Sequence, residues 1–177
     1  MHVPCVRVTA LLLVLLAGGC TVPTDPDGTL DRARGGIMRV GMTEADPWAE
    51  ETGGQRSGVE VDLVERFAET LGARIEWSDG SEEELFEELH EGRLDLVIGG
   101  ITAKSPWMEK GAFTRPYATV VSERGAKEKH VMATKLGEND FLTELDFFLQ
   151  RREGAIEELL ERVGELNARR PAGEARL

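Results

Sequence analysis

Apolar and polar positions along this chain change period several times, and each change marks an element. Ile37–Met42 (IMRVGM) is a short apolar run of the kind that forms a buried strand. Residues 43–57 are polar and rich in Gly, which predicts a loop. Beyond them Leu63, Val64, Phe67, Ala68 and Leu71 make one helical stripe, with Gly72 as its C-terminal stop. Residues 74–77 read as a second short strand. Ser81 followed by Glu84 predicts a capping box. The helix behind it turns Leu85, Phe86 and Leu89 inward and stops at Gly92, and residues 94–98 (LDLVI) form a third strand leading into Gly99-Gly100. Residues 118–122 and 130–134 suit two further strands joined by a charged link, 123–129. From Asn139 a helix returns with Leu142, Leu145, Phe148 and Leu149 on one face. Gly154 is expected to interrupt it before a short helix carrying Ile156, Leu159, Leu160 and Val163, and residues 169–177 are expected to fray.

Strand, helix, strand, helix, strand with short connections implies an α/β domain, a parallel-type sheet flanked by helices. In such sheets small ligands sit beyond the carboxyl ends of the strands. Two strand ends therefore matter. One is Met42-Thr43-Glu44, leading to Pro47-Trp48; the other is Gly99-Gly100-Ile101-Thr102.

The N-terminus reads as an export signal. Arg7 precedes an uncharged run, VTALLLVLLA at 8–17, too short to span a bilayer as a mature helix. It ends in Ala17-Gly18-Gly19-Cys20, which resembles a bacterial lipobox; Cys20 would be acylated and become the new N-terminus. An ordinary cleaved signal that happens to contain a Cys is the other reading. On the lipoprotein reading residues 1–19 are the signal peptide, 20–35 a flexible tether rich in Pro, Asp, Gly and Thr, 36–168 the folded domain and 169–177 a tail. The protein is then periplasmic or extracytoplasmic and anchored to the membrane.

Composition narrows the chemistry. Hydrophobic residues make up 41% of the 177 and charged residues 31%, so the chain can build a core. With 33 acidic against 21 basic side chains its formal charge is -12, which disfavours nucleic acid as a partner. Two cysteines, Cys5 and Cys20, exclude a disulfide scaffold and a Cys-rich zinc module. His2, His90 and His130 are far apart and in no ligand pattern, and no calcium loop occurs, so neither a metal nor a cofactor is expected. No G-x-S-x-G, Walker loop or paired His and Cys nucleophile occurs, so no enzyme activity is expected. Glu82, Glu83, Glu84, Glu87 and Glu88 read as the solvated face of a helix.

Five segments from Met38 to Tyr117, in order, resemble the family 3 extracellular solute-binding proteins, the polar-amino-acid receptors of bacterial ABC importers. Arg39-Val40-Gly41-Met42-Thr43 looks like the opening strand, and Pro47-Trp48 sits where the family has a proline followed by an aromatic. Gly58-Val59-Glu60-Val61-Asp62-Leu63 is similar to G-F/Y-D-V/I-D-L. The run from Gly92 to Gly100 looks like the G-K/R-x-D-x-I/V strand, and Phe113-Thr114-Arg115-Pro116-Tyr117 matches F-S/T-x-P-Y. The resemblance implies a clamshell of two lobes, the periplasmic-binding-protein type II fold. Only residues 118–129 lie where the second lobe belongs, too few to build one. The chain reads as the first lobe with the second largely missing, reduced to a hairpin or loop.

The resemblance also implies a site. Trp48 fits an aromatic wall, and equally a loop anchor in the core. Gly100 and Thr102 fit contacts to an amino group or carboxylate; Thr102 also fits an ordinary turn hydroxyl. The position of the family's carboxylate-clamping Arg holds Trp107, whose indole cannot replace a guanidinium but can stack on a ring or cation. Lys104 offers a point charge nearby, and Glu44 could hold an amine or stay a solvated loop carboxylate. The implied function is non-covalent binding of a small polar, amino-acid-like solute for an ABC permease. The alternative is a single-lobe interaction or sensor-associated module that uses exposed Trp48 and Trp107 as anchors. A dehydratase of the kind found on this clamshell would lack its second-lobe residues, and a remnant without function is the last reading.

Overall fold

The computed structural model describes residues 25–122 and 125–160. Its elements run in chain order: α1 (Thr29–Ala33), β1 (Ile37–Met42), β2 (Glu50–Thr52), β3 (Gln55–Ser57), α2 (Val59–Leu71), β4 (Arg74–Asp79), α3 (Glu82–His90), β5 (Leu96–Ile98), β6 (Ala112–Phe113), β7 (Ala118–Val121), β8 (Lys127–His130), β9 (Ala133–Thr134) and α4 (Asn139–Gln150). Residues 153–160 are again helical.

The main sheet has the order β4-β1-β5-β9-β6. Strand β1 pairs parallel with β4, Ile37 opposite Arg74, and with β5, Val40 opposite Leu96. Strand β9 runs antiparallel to both β5 and β6, so the expected parallel sheet is mixed at one side. Central strand β5 is short and apolar because both its faces are covered. Leu96 and Ile98 join the cluster under α2 and α4, while Val97 between them joins the cluster under α3. Gly41 in β1 lets the second cluster close: a Cβ there would lie 2.6 Å from Leu94 Cδ1.

Helix α2 buries the predicted stripe, with Phe67 packed 5.2 Å from Phe148 and 5.8 Å from Phe141 between ring centroids. Gly72 ends it in the left-handed conformation, φ 63°. Helix α3 starts on the predicted capping box: Ser81 accepts from the Glu84 amide, and the Glu84 carboxylate accepts from the Ser81 amide.

Four expectations need correction. Residues from 25 onward are not tether. Helix α1 buries Thr29, Leu30 and Ala33, because Glu138, itself 1% exposed, accepts from the Asp27 and Thr29 amides at 3.0 Å each. The Asp25 carboxylate accepts from the Leu30 amide at 2.7 Å, and Arg32 pairs with buried Asp95 at 2.6 Å. The Asp and Gly residues that suggested a linker are helix-capping groups. Next, the loop 43–57 contains a hairpin, β2 paired antiparallel with β3. The strand predicted over 130–134 is two, β8 and β9, and β8 takes in Lys127 and Lys129 from the predicted link. Finally, the C-terminal break falls at 151–152, and Gly154 lies inside the helical run that follows.

Strands β7 and β8 form a two-stranded hairpin, Ala118 opposite His130 and Val121 opposite Lys127. The Ser122 amide donates to the Ala126 carbonyl at 2.9 Å, so the chain turns back at the place where a second lobe would begin. The expected signal peptide, Cys20 and the expected C-terminal tail lie outside the described residues.

Candidate functional site

The carboxyl end of β5 is organised by a buried carboxylate. Glu60, in the first turn of α2, is fully buried; its Oε2 accepts from the Gly99 amide at 2.6 Å and the Gly100 amide at 3.0 Å. Its other oxygen accepts from the Tyr117 hydroxyl, which is also fully buried. Gly99 has φ 132°, and a Cβ there would collide with the Thr43 carbonyl, so only glycine lets the two loops meet. Burial pushes the Glu60 carboxyl above the usual carboxylate range, against the opposing pull of the Tyr117, Gly100 and Gly99 hydrogen bonds. Burial, then the neighbouring Glu60 charge, pushes the Tyr117 phenol well above its ordinary value of 10.0. Gly100, expected to contact a solute amino group or carboxylate, thus has its amide already held by Glu60.

Trp48 is 6% exposed, so the structure gives it the packing role and not an open wall. One face stacks on His130, 3.8 Å between centroids and 23° from parallel, and its edge meets Tyr117 at 6.2 Å. Its burial also removes one of the two anchors expected for an interaction module. His130 is 3% exposed with neither ring nitrogen hydrogen-bonded, and burial holds its pKa down at about 4 against the opposing pull of Glu128 and the Gly100 carbonyl.

Trp107 turns to the other cluster, stacked 6.3 Å from Phe86 with Lys110 Nζ 5.1 Å over its ring. It finds the ring and the cation that its indole suits within its own chain. Glu44 is exposed on the loop after β1 and is not among the residues that line the cleft described next.

Thr102 and Lys104 do come together. They line a cleft of about 280 Å³ with Ala103, Lys127, Glu128 and Lys129. It lies between the turn after β5 and strand β8, which are joined by an isolated bridge from Thr102 to His130 and by the Ala103 amide donating to the Lys129 carbonyl at 2.8 Å. The Thr102 hydroxyl lies 3.4 Å from the Lys104 amide, a loose local bond that leaves its proton free for another acceptor. Glu60, Tyr117 and His130 were missed as a unit because nothing local in the sequence says that their side chains converge. Lys127 and Lys129 carried a signal: alternate lysines in K-E-K are the mark of one exposed strand face. Among the described residues no group of three or more His, Cys, Asp or Glu is placed to hold a metal ion, and no helix is long and apolar enough to cross a membrane.

Residues 38–164 match the bacterial extracellular solute-binding proteins, family 3. The chain belongs to this family. Among curated relatives of this family 3 chain, membrane-bound lytic murein transglycosylase F of Maricaulis maris (strain MCS10) is 32% identical over 139 residues, which cover 73% of this chain and 30% of that protein. The probable amino-acid-binding protein YxeM of Bacillus subtilis (strain 168) is 28% identical over 112 residues, 63% of this chain and 40% of that one. The chain therefore spans less than half the length of either, and its family relatives include an enzyme as well as a binding protein. Among solved structures, the arginine-bound form of domain 1 from TmArgBP matches with a TM-score of 0.58 at 26% identity, covering 68% of this chain and 97% of that one. The match to almost the whole of a solved single domain agrees with a one-lobe architecture.

Proposed function

We propose that this protein is a lipid-anchored, extracytoplasmic solute-binding protein that holds a small polar, amino-acid-like solute non-covalently and presents it to an ABC permease. The observation that carries this reading is the cleft at Thr102 and Lys104, on the carboxyl side of β5, where open α/β sheets place their ligands. The arginine-bound state of a similar isolated domain supports binding by one lobe, and a relative described as amino-acid-binding supports the solute class. Binding on one face leaves the solute partly wet, so affinity is lower than in a closed clamshell. Cys20 lies nine positions before Thr29, which holds the domain within roughly 30 Å of the bilayer even if the link is fully extended.

A thermal-shift screen of the purified full-length chain against amino acids, polyamines and small organic acids tests this. At ten times the dissociation constant a ligand adds about 1.4 kcal/mol, which moves the midpoint by roughly 2–6 °C. Thr102→Val is expected to weaken the response. A cooperative transition that no compound shifts rejects the reading.

A further inference from the structure

Resting on that reading, we propose that the cleft selects anionic solutes, and among amino acids the acidic ones with two carboxylates and one ammonium. The chain has five lysines in a molecule of formal charge -12. Lys110 is paired with Glu87, and Lys135 with Asp27. The other three, Lys104, Lys127 and Lys129, have no ion pair among the described residues, and all three line this one cleft. In a chain with 33 carboxylates, leaving three ammonium groups unmatched at a single place needs an explanation.

The fold makes the grouping. Lys127 and Lys129 are two apart on β8 and so share a face. The bond from the Ala103 amide to the Lys129 carbonyl then brings the turn bearing Lys104 alongside. Like charges held together repel, and a dianion between them removes that repulsion while gaining attraction to each. Glu128 lines the same cleft and supplies one acceptor for a solute ammonium. Three cations and one carboxylate complement a solute with two carboxylates and an α-ammonium. The Thr102 hydroxyl adds a neutral donor at the rim. A volume of about 280 Å³ lies at the small end of ligand sites, which suits a solute of this size.

Isothermal titration of the full-length chain with L-glutamate, L-aspartate, succinate, L-arginine and L-lysine tests the assignment. Glutamate or aspartate is expected to bind saturably, and more weakly as salt rises, because the charges are partly exposed. Lys127→Ala and Lys129→Ala are each expected to lower that affinity by roughly three- to fivefold, the scale of a partly exposed ion pair, while Lys110→Ala leaves it unchanged. Glu128→Gln is expected to lower glutamate affinity and raise that of succinate. Binding of arginine or lysine with glutamate excluded overturns the anionic assignment and leaves the solute-binding reading standing. Glutamate binding that survives both lysine substitutions moves the site elsewhere and also overturns it. No heat with any of the five, together with no shift in the wider screen, removes both readings.

Discussion

His130 and Glu60 are buried within one layer of each other through Trp48 and Tyr117, and they make stability depend on pH in opposite directions. His130 ordinarily titrates at 6.5 and in the fold at about 4. Its contribution is fully present above 6.5 and is lost as pH falls through 4, because the unfolded chain takes the proton first. The full loss is about 3 kcal/mol, of which about 2.5 kcal/mol has gone by pH 4.5. Glu60 works the other way. Its carboxyl is raised in the fold, so its contribution is fully present below its ordinary 4.5 and is lost as pH rises through the folded value. Above 4.5, as far as the folded value of Glu60, the two slopes oppose, and the wild-type curve is flatter there than His130 alone would make it.

Two substitutions separate them. His130→Phe keeps a ring against Trp48 and removes the titration. Glu60→Gln keeps an acceptor for the Gly99 and Gly100 amides and fixes the group neutral. Urea unfolding at steps from pH 7.5 to 4.5, followed by tryptophan fluorescence, reads the result. The Phe variant is expected to gain on the wild type by about 2.5 kcal/mol on going from pH 7 to pH 4.5, and the Gln variant to fall away from it over the same range. Parallel curves for wild type and His130→Phe would refute the argument, since they would mean that the imidazole is not held neutral by the fold.

Two further predictions concern the frame around the site. Asp95, 1% exposed, pairs with Arg32 and Arg39 and accepts the Arg39 amide at 2.9 Å, joining α1 to the sheet. Asp95→Ala is expected to cost about 3 kcal/mol, the low end for a buried pair because both arginines reach solvent, and to raise amide exchange over α1; a loss under about 1 kcal/mol counts against it. Gly99→Ala places a Cβ against the Thr43 carbonyl at φ 132°, and is expected to lower the unfolding midpoint by more than 10 °C, on the order of 3 kcal/mol. Gly53→Ala, at a left-handed position with nothing within 4 Å, gives the smaller cost of backbone conformation alone.

What the sequence made legible is what local pattern encodes. The α2 stripe, the Ser81 capping box, the Gly72 stop and all six residues of β1 follow from periodicity and caps, which need only neighbours within a few positions. The replacement of a second lobe was legible as a spacing. The tether was misread because Glu138 holds the start of α1 from more than a hundred residues away, and capping groups share their composition with linkers. The site divided in the same way. Thr102 and Lys104 lie on one turn, where neighbours in sequence are neighbours in space; Trp48 and Gly100 are packed by Glu60, Tyr117 and His130, which come from three other places in the chain.

The lysines of β8 also invite a plainer account, since charges on a short exposed strand discourage edge-to-edge association. Lysine serves that purpose especially well, so the account covers Lys127 and Lys129 on β8. Edge protection does not require Lys104, which lies on the turn after β5 and is brought beside the other two by the Thr102–His130 bridge and the Ala103–Lys129 bond. What is left to explain is the convergence of three cations, without ion pairs among the described residues, from two segments on one cleft at the carboxyl end of the sheet. A bound anion accounts for that convergence, and protection of the strand does not.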